Sequence, residues 1–175
     1  MNPIFNVLAF QTGWWACVAG VGLGYEIPAL LLCFALVCTQ LFYSCTRTND
    51  IQLGLSAWIM GMVIDSGLQY ASVITFYGWA LGPLSPFWLW MLWMLFALTL
   101  NSSLSKLKEL PLVFSALLGL ILGPLTYIAG AKLGAAAFDH SLMHIAILAV
   151  AWMLAMPALV RVAQRFSIQT NGELP

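Results

Sequence analysis

Pro111-Leu112-Val113-Phe114-Ser115-Ala116-Leu117-Leu118-Gly119-Leu120-Ile121-Leu122-Gly123-Pro124-Leu125-Thr126-Tyr127-Ile128-Ala129-Gly130-Ala131-Lys132 decides the fold class, because no charge interrupts it before Lys132. A helix crossing the roughly 30 Å hydrocarbon layer of a bilayer needs about 20 mostly apolar residues, and this run supplies them. A membrane β-barrel strand would instead alternate apolar and polar side chains over about 10 residues. The run is continuously apolar, so the reading is all-α.

The rest of the chain agrees. Of 175 residues, 62% are hydrophobic and 7% charged, and six Lys and Arg balance six Asp and Glu. An average soluble domain is about 45–50% apolar and about 25% charged. Too few polar groups exist here to cover a water-soluble globule. Disorder is excluded because it needs low hydrophobicity and high net charge. Nucleic acid is excluded as a partner because no basic patch could release phosphate counterions. The lipid bilayer is the expected surroundings, and residues 1–175 read as a single integral-membrane domain.

Outward from the opening run, charges and Pro/Gly clusters divide the chain into a polytopic membrane helical bundle. The six transmembrane helices predicted are about 4–22, 27–45, 51–72, 87–103, 111–132 and 141–160, with a short cytoplasmic tail at 161–175. Pro28 is tolerable in a first turn, and Thr46-Arg47-Thr48-Asn49-Asp50 reads as a polar turn. The short connections predict antiparallel packing of helices 2 and 3, and of helices 4 and 5. Arg47, Lys106, Lys108, Arg161 and Arg165 fall on one side and only Lys132 on the other. The positive-inside bias therefore predicts that both termini are cytoplasmic. No Lys or Arg precedes the first apolar run, so a cleaved signal peptide is not expected. Phe76-Tyr77-Gly78-Trp79, with Trp88 and Trp90, reads as an outer interfacial belt, where aromatic rings are favoured.

Ionisable groups within such helices are costly, at least about 2.5–3.5 kcal/mol near a helix centre, and so mark places to look for chemistry. Asp65, in Val63-Ile64-Asp65-Ser66, is the clearest. It lies about 21 Å along helix 3 at about 1.5 Å per residue. Gln69 is one turn further along the same face. Tyr127, Lys132 and His144 reach a comparable depth, so Asp65, Gln69, Tyr127, Lys132 and His144 form a candidate ligand-binding cluster opening outward. The alternative is structural: an Asp65–Lys132 ion pair, or a hydrogen-bonded network, that only fixes helix packing.

A metal reading is weaker. His140-x-x-x-His144 is a helical i,i+4 pair, with Asp139 and Glu26 as further candidate ligands. The zincin signature needs Glu where Ser141 stands, so ordinary interfacial histidines are the better account. No cofactor is implied, since phosphate loop, dinucleotide fingerprint and nucleophile elbow are all missing from the sequence. No catalytic residue is assigned: Ser102 and Ser103 have no nearby acid or base. Cys17, Cys33, Cys38 and Cys45 form no CxxC pair and read as small packing residues, Cys17 and Cys33 at similar depth on adjacent helices.

Helix packing is written most clearly in helix 5. Ser115, Gly119 and Gly123 recur every four residues, and Gly130 and Gly134 repeat the spacing. Small residues at this interval let backbones approach where lipid offers no hydrophobic drive. Pro124 displaces the carbonyl of Leu120, which then needs another partner and bends the helix. Asn6, Gln11 and Asn101 are neutral amides of the kind that hydrogen-bond between helices.

Phe10-Gln11-Thr12-Gly13-Trp14-Trp15-Ala16-Cys17-Val18 resembles the opening of a bacterial family of small multi-pass inner-membrane proteins classed as a domain of unknown function. The blocks Val63–Ser66, Trp90–Trp93 with Phe96–Asn101, and Gly123–Gly134 resemble that family too, so the likeness covers nearly the whole chain. It implies a multi-pass protein of the bacterial inner membrane and assigns no activity. The leading expectation is binding or transport of a small molecule or lipid through the outward polar cluster. Two alternatives stand beside it. One is a non-enzymatic subunit, docking a membrane-protein partner or a second copy through the glycine face of helix 5. The other is a membrane-embedded enzyme acting on lipid through Asp65, His144 and Tyr127.

Overall fold

The computed structural model describes residues 2–139 and 141–171. Six α-helices dominate it: α1 (Pro3–Gly22), α2 (Glu26–Phe42), α3 (Arg47–Tyr70), α4 (Phe87–Thr99), α5 (Leu112–Lys132) and α6 (Leu142–Asn171). Four of them, α1, α3, α5 and α6, are long and apolar enough to cross a membrane; α2 and α4, with 17 and 13 residues, are shorter apolar helices. The ends follow ordinary capping rules. Asn2 accepts a hydrogen bond from the backbone N–H of Ile4 at 2.9 Å, with Pro3 in the first turn. Gly24, at φ +80°, turns the chain out of α1 in the left-handed conformation that glycine adopts without strain.

α4 is apolar all round, and a helix of that kind belongs in the interior. Trp88, Leu89, Trp90, Leu92, Trp93, Leu95, Ala97 and Leu98 are all buried. α1, α2 and α3 pack around α4, while α5 pairs with α6, and α6 closes against α3. The molecule is thus two helical groups joined along the α3–α6 seam. Where α1 and α5 flank that seam they diverge, leaving a cleft. Beyond one end of it a two-residue antiparallel pair, β1 (Thr75–Phe76) and β2 (Ala136–Ala137), links the groups with Phe76 opposite Ala136.

Glycines set how closely the helices approach. A side chain at Gly13 would run into Leu95 and Cys33, and one at Gly61 into the ring of Trp93. At Gly119 and Gly123 it would meet Trp152. Polar networks tie the opposite end together. Asn6 donates to Gln40 at 2.5 Å and accepts from the Ser103 hydroxyl at 2.5 Å. Asp50 accepts from Ser44 and Asn101, and Lys108 donates to Asn101 at 2.8 Å and to Ser167 at 3.1 Å. Burial holds the Lys108 ammonium below the usual lysine range, against the opposing pull of Asp50 and Glu109.

Several expected boundaries move. α3 begins at Arg47, so the polar turn is already helical from there. α4 stops at Thr99 rather than 103, because the following residues turn to bring Ser103 onto Asn6. The chain from 161 to 171, expected as a tail, continues α6. There Ala163 is buried and Gln164 donates to the backbone carbonyl of Lys108 at 2.7 Å. Helices 4 and 5 are not an antiparallel pair: α4 is committed to α1, α2 and α3, and α5 to α6. α2 likewise packs on α1 and α4 more than on α3. Phe76, expected in the outer belt, belongs to the strand β1, and Trp88 and Trp90, expected there too, are buried.

Candidate functional site: an aromatic cleft above Asp65

Asp65 lies five residues before the end of α3, about 8 Å along the axis at about 1.5 Å per residue. It is fully buried. Its Oδ2 accepts from the indole Nε1 of Trp93 at 2.8 Å, and its Oδ1 from the hydroxyl of Tyr127 at 2.5 Å. One carboxyl thereby ties α3 to α4 and α5. A carboxyl out of water is tolerable only when its oxygens are hydrogen-bonded, and each oxygen here has a donor.

The geometry that delivers Trp93 starts at Gly61, one turn before Asp65 on α3. The bare glycine leaves room for the indole to lie across the helix and reach the carboxyl beyond it. Trp152 of α6 stacks on the other face of Trp93, with ring centroids 4.8 Å apart and planes inclined by 11°. Tyr127 meets Trp152 edge-on at 6.2 Å. Trp152 Nε1 is itself buried beside the Tyr127 hydroxyl but outside hydrogen-bond geometry.

These rings form the floor of a cleft of about 720 Å³ between α1 and the α5–α6 pair. Its volume is within the roughly 300–1,000 Å³ of small-molecule sites. Phe10, Trp14 and Trp15 of α1 make one wall, and Leu118, Leu122 and Leu125 of α5 the other. No charged residue lines it; Gln11, Thr126 and Tyr127 bring the polar groups. Thr126 already donates to the carbonyl of Gly123 at 2.7 Å. The arrangement can hold an apolar body against aromatic faces.

Of the five residues expected to cluster, the structure brings together Asp65 and Tyr127. Gln69 is a turn away, and its side-chain oxygen accepts from the backbone N–H of Phe76 at 3.2 Å, pinning β1. Lys132 is exposed at the end of α5, and neither Asp65 oxygen has a lysine partner. The Nδ1 of His144 pairs with the backbone carbonyl of Asp139 at 3.1 Å. Asp65 does not open outward; Trp93 and Tyr127 seal it.

Glu26 is also engaged, with both carboxylate oxygens accepting from the backbone N–H of Trp79 at 2.8 and 2.9 Å. Among the described residues no group of three metal-ligating side chains exists, and His140 lies outside those residues.

The small residues of α5 divide into two sets. Ser115, Gly119 and Gly123 are buried, and the Gly119–Gly123 face is filled by Trp152 of the same chain rather than left as an open groove. Pro124 is buried inside an uninterrupted α5. Gly130 lines the cleft, where an added Cβ would meet nothing within 4 Å. Gly134 lies beyond the helix end at φ +82° and abuts Gly22. Cys17 and Cys33 do meet, sulfur to sulfur at 3.2 Å, as buried free thiols.

Sequence reading missed Trp93 and Trp152, which were hidden in an aromatic-rich background. Gly61 one turn from Asp65, and Gly119 with Gly123, were the available signals that large rings fit against those helices.

Neither a curated protein nor a solved structure matches the chain. One family model does, over residues 3–158, which bears out the resemblance seen in the sequence. With its aromatic cleft and buried Asp65, the chain belongs to the family described as "Protein of unknown function (DUF2878)".

Proposed function

We propose that the chain is a bacterial inner-membrane protein, both termini cytoplasmic, that binds an apolar small molecule or lipid in the cleft between α1 and α5. One observation carries this reading: a cleft of about 720 Å³, without a charged lining residue, between two helices each long and apolar enough to cross a membrane. The polar element of the site is the Tyr127 hydroxyl backed by Asp65. Asp65 acts as a positioning residue, holding the rings of Trp93 and Tyr127 as floor. Five of the six basic residues on one side support the orientation.

The test is extraction of the chain from its native membrane in mild detergent, followed by mass spectrometry under native and then denaturing conditions. The reading expects a co-purifying apolar molecule, released on unfolding and depleted at least several-fold in Gly130→Phe. That variant fills the cleft where an added Cβ meets no neighbour. A wild-type chain that carries nothing, or a variant that retains as much as wild type, overturns the reading.

A further inference from the structure

The cleft differs along its length. α1 and α5 run parallel and converge at one end only. There Gly22, the last residue of α1, lies against Leu133 and Gly134 just past α5. Away from that point the flanks stay apart, and Trp15, Leu122 and Leu125 are 56%, 52% and 53% exposed. The mouth therefore faces sideways. Phe76 and Ala136 from the strand pair close one end, and Leu104 and Leu107 close the other.

Size and chemistry narrow the occupant. From Leu118 to Gly130 the α5 wall is about 18 Å long, slightly more than half of the roughly 30 Å hydrocarbon layer, so the cleft is long and narrow. No Lys, Arg or His lines the cleft, so an ionised head would have no partner inside it. The Tyr127 and Thr126 hydroxyl hydrogens are already committed to Asp65 and Gly123. A hydrocarbon chain gains nothing hydrophobic by moving from lipid into protein. Binding must come from fit against the edges of the stacked Trp93 and Trp152 rings and against Phe10, Trp14 and Phe96 along the cleft, which suits a slender chain.

We infer that the occupant is one acyl chain of a bilayer phospholipid, entering sideways between α1 and α5 with its headgroup left in the interface. This rests on the binding reading above and adds its ligand class and entry route.

The test is photolabelling of the full chain in phosphatidylcholine vesicles that contain a phosphatidylcholine with a diazirine near the end of one acyl chain. Peptide mapping should find adducts on the cleft-lining Trp152, Met156 and Tyr127 as well as on the outward-facing Ile59, Val63 and Leu154. Gly130→Phe should cut the cleft adducts at least fivefold and leave the outward ones unchanged. If Gly130→Phe melts early, Leu125→Trp at the exposed mouth replaces it, with the same expectation. Adducts confined to the outward positions overturn the inference, as does cleft labelling seen only with a diazirine-bearing free fatty acid added from water. A co-purified apolar molecule beside an unlabelled cleft would sink the acyl-chain inference while leaving the binding reading intact.

Discussion

Trp93 and Trp152 stack face to face, 4.8 Å between centroids, and each covers bare glycine backbone on a further helix. Trp93 lies over Gly61 of α3, and Trp152 over Gly119 and Gly123 of α5. Four helices are thus registered by two rings and three missing side chains. In a chain whose surface and interior are both apolar, this large-into-small fit replaces hydrophobic segregation as the source of specificity. Asp65 then fixes one ring of the stack by its indole N–H.

Substitutions at Asp65 should separate hydrogen bonding from volume. Asp65→Asn keeps an acceptor for Trp93, and its amide can donate to the Tyr127 oxygen, so the loss should stay within about 1.5 kcal/mol. Asp65→Leu strands both donors, at about 1–3 kcal/mol each. Thermal unfolding in detergent should rank wild type above Asn and Asn well above Leu. Equal losses would show that the carboxyl's bonds do not matter to stability.

Lys132 supplies a control. It is exposed and unpaired to Asp65, so Lys132→Met should change stability by less than about 0.5 kcal/mol. Combined with Asp65→Leu it should add without coupling. A double-mutant coupling above about 1 kcal/mol would reveal an ion pair between the two.

Two glycines seven residues apart on α5 should behave oppositely from their neighbours' geometry alone. Gly123→Leu drives a side chain into Trp152 and should destabilise by roughly 1–3 kcal/mol or more, as overpacking does. Gly130→Leu projects into the cleft and should melt near wild type, Leu being the better helix former. Assembly size should not change in either, since Trp152 of the same chain already covers the Gly119–Gly123 face. Tolerance at Gly123, or collapse at Gly130, would contradict this division.

Native cysteines can report orientation. Cys45, exposed in the turn between α2 and α3, should react with a membrane-impermeant maleimide only after the cytoplasmic face is opened. Cys17 and Cys33, buried against each other, should stay silent until the chain unfolds. Modification of Cys45 in intact spheroplasts would invert the proposed topology.

How much of this was legible beforehand depends on what hydropathy encodes. It marks where the chain is apolar, so six helices were placed within a few residues at most ends. It does not mark where an apolar helix stops, so α4 ended early. Nor does it register a polar stretch held helical by contacts, as Ala163 and Gln164 hold α6 past Arg161. Asp65 stood out because a lone carboxyl in an apolar run must be partnered, and Tyr127 was within its reach. Lys132 and His144 shared its approximate depth, but depth says nothing about which side of the bundle a residue occupies. Asn6 was readable as an interhelical donor and acts so, whereas Asn101 lies past the end of α4 and donates from the following turn to Asp50 of α3. Trp93 was unreadable because a buried indole looks the same in sequence as one in an interfacial belt.

The seam between the α1–α4 group and the α5–α6 hairpin has a consequence for biogenesis. Synthesis delivers the first four helices before the hairpin exists, so Trp93 must wait with one face uncovered and Asp65 with one oxygen unbonded. Tyr127 and Trp152 arrive last and complete both at once. A nascent chain stalled after α4 would carry an aromatic surface and a half-satisfied carboxyl into the bilayer. The final hairpin therefore acts as the closing step of assembly, and the same docking event that stabilises the protein also forms its cleft.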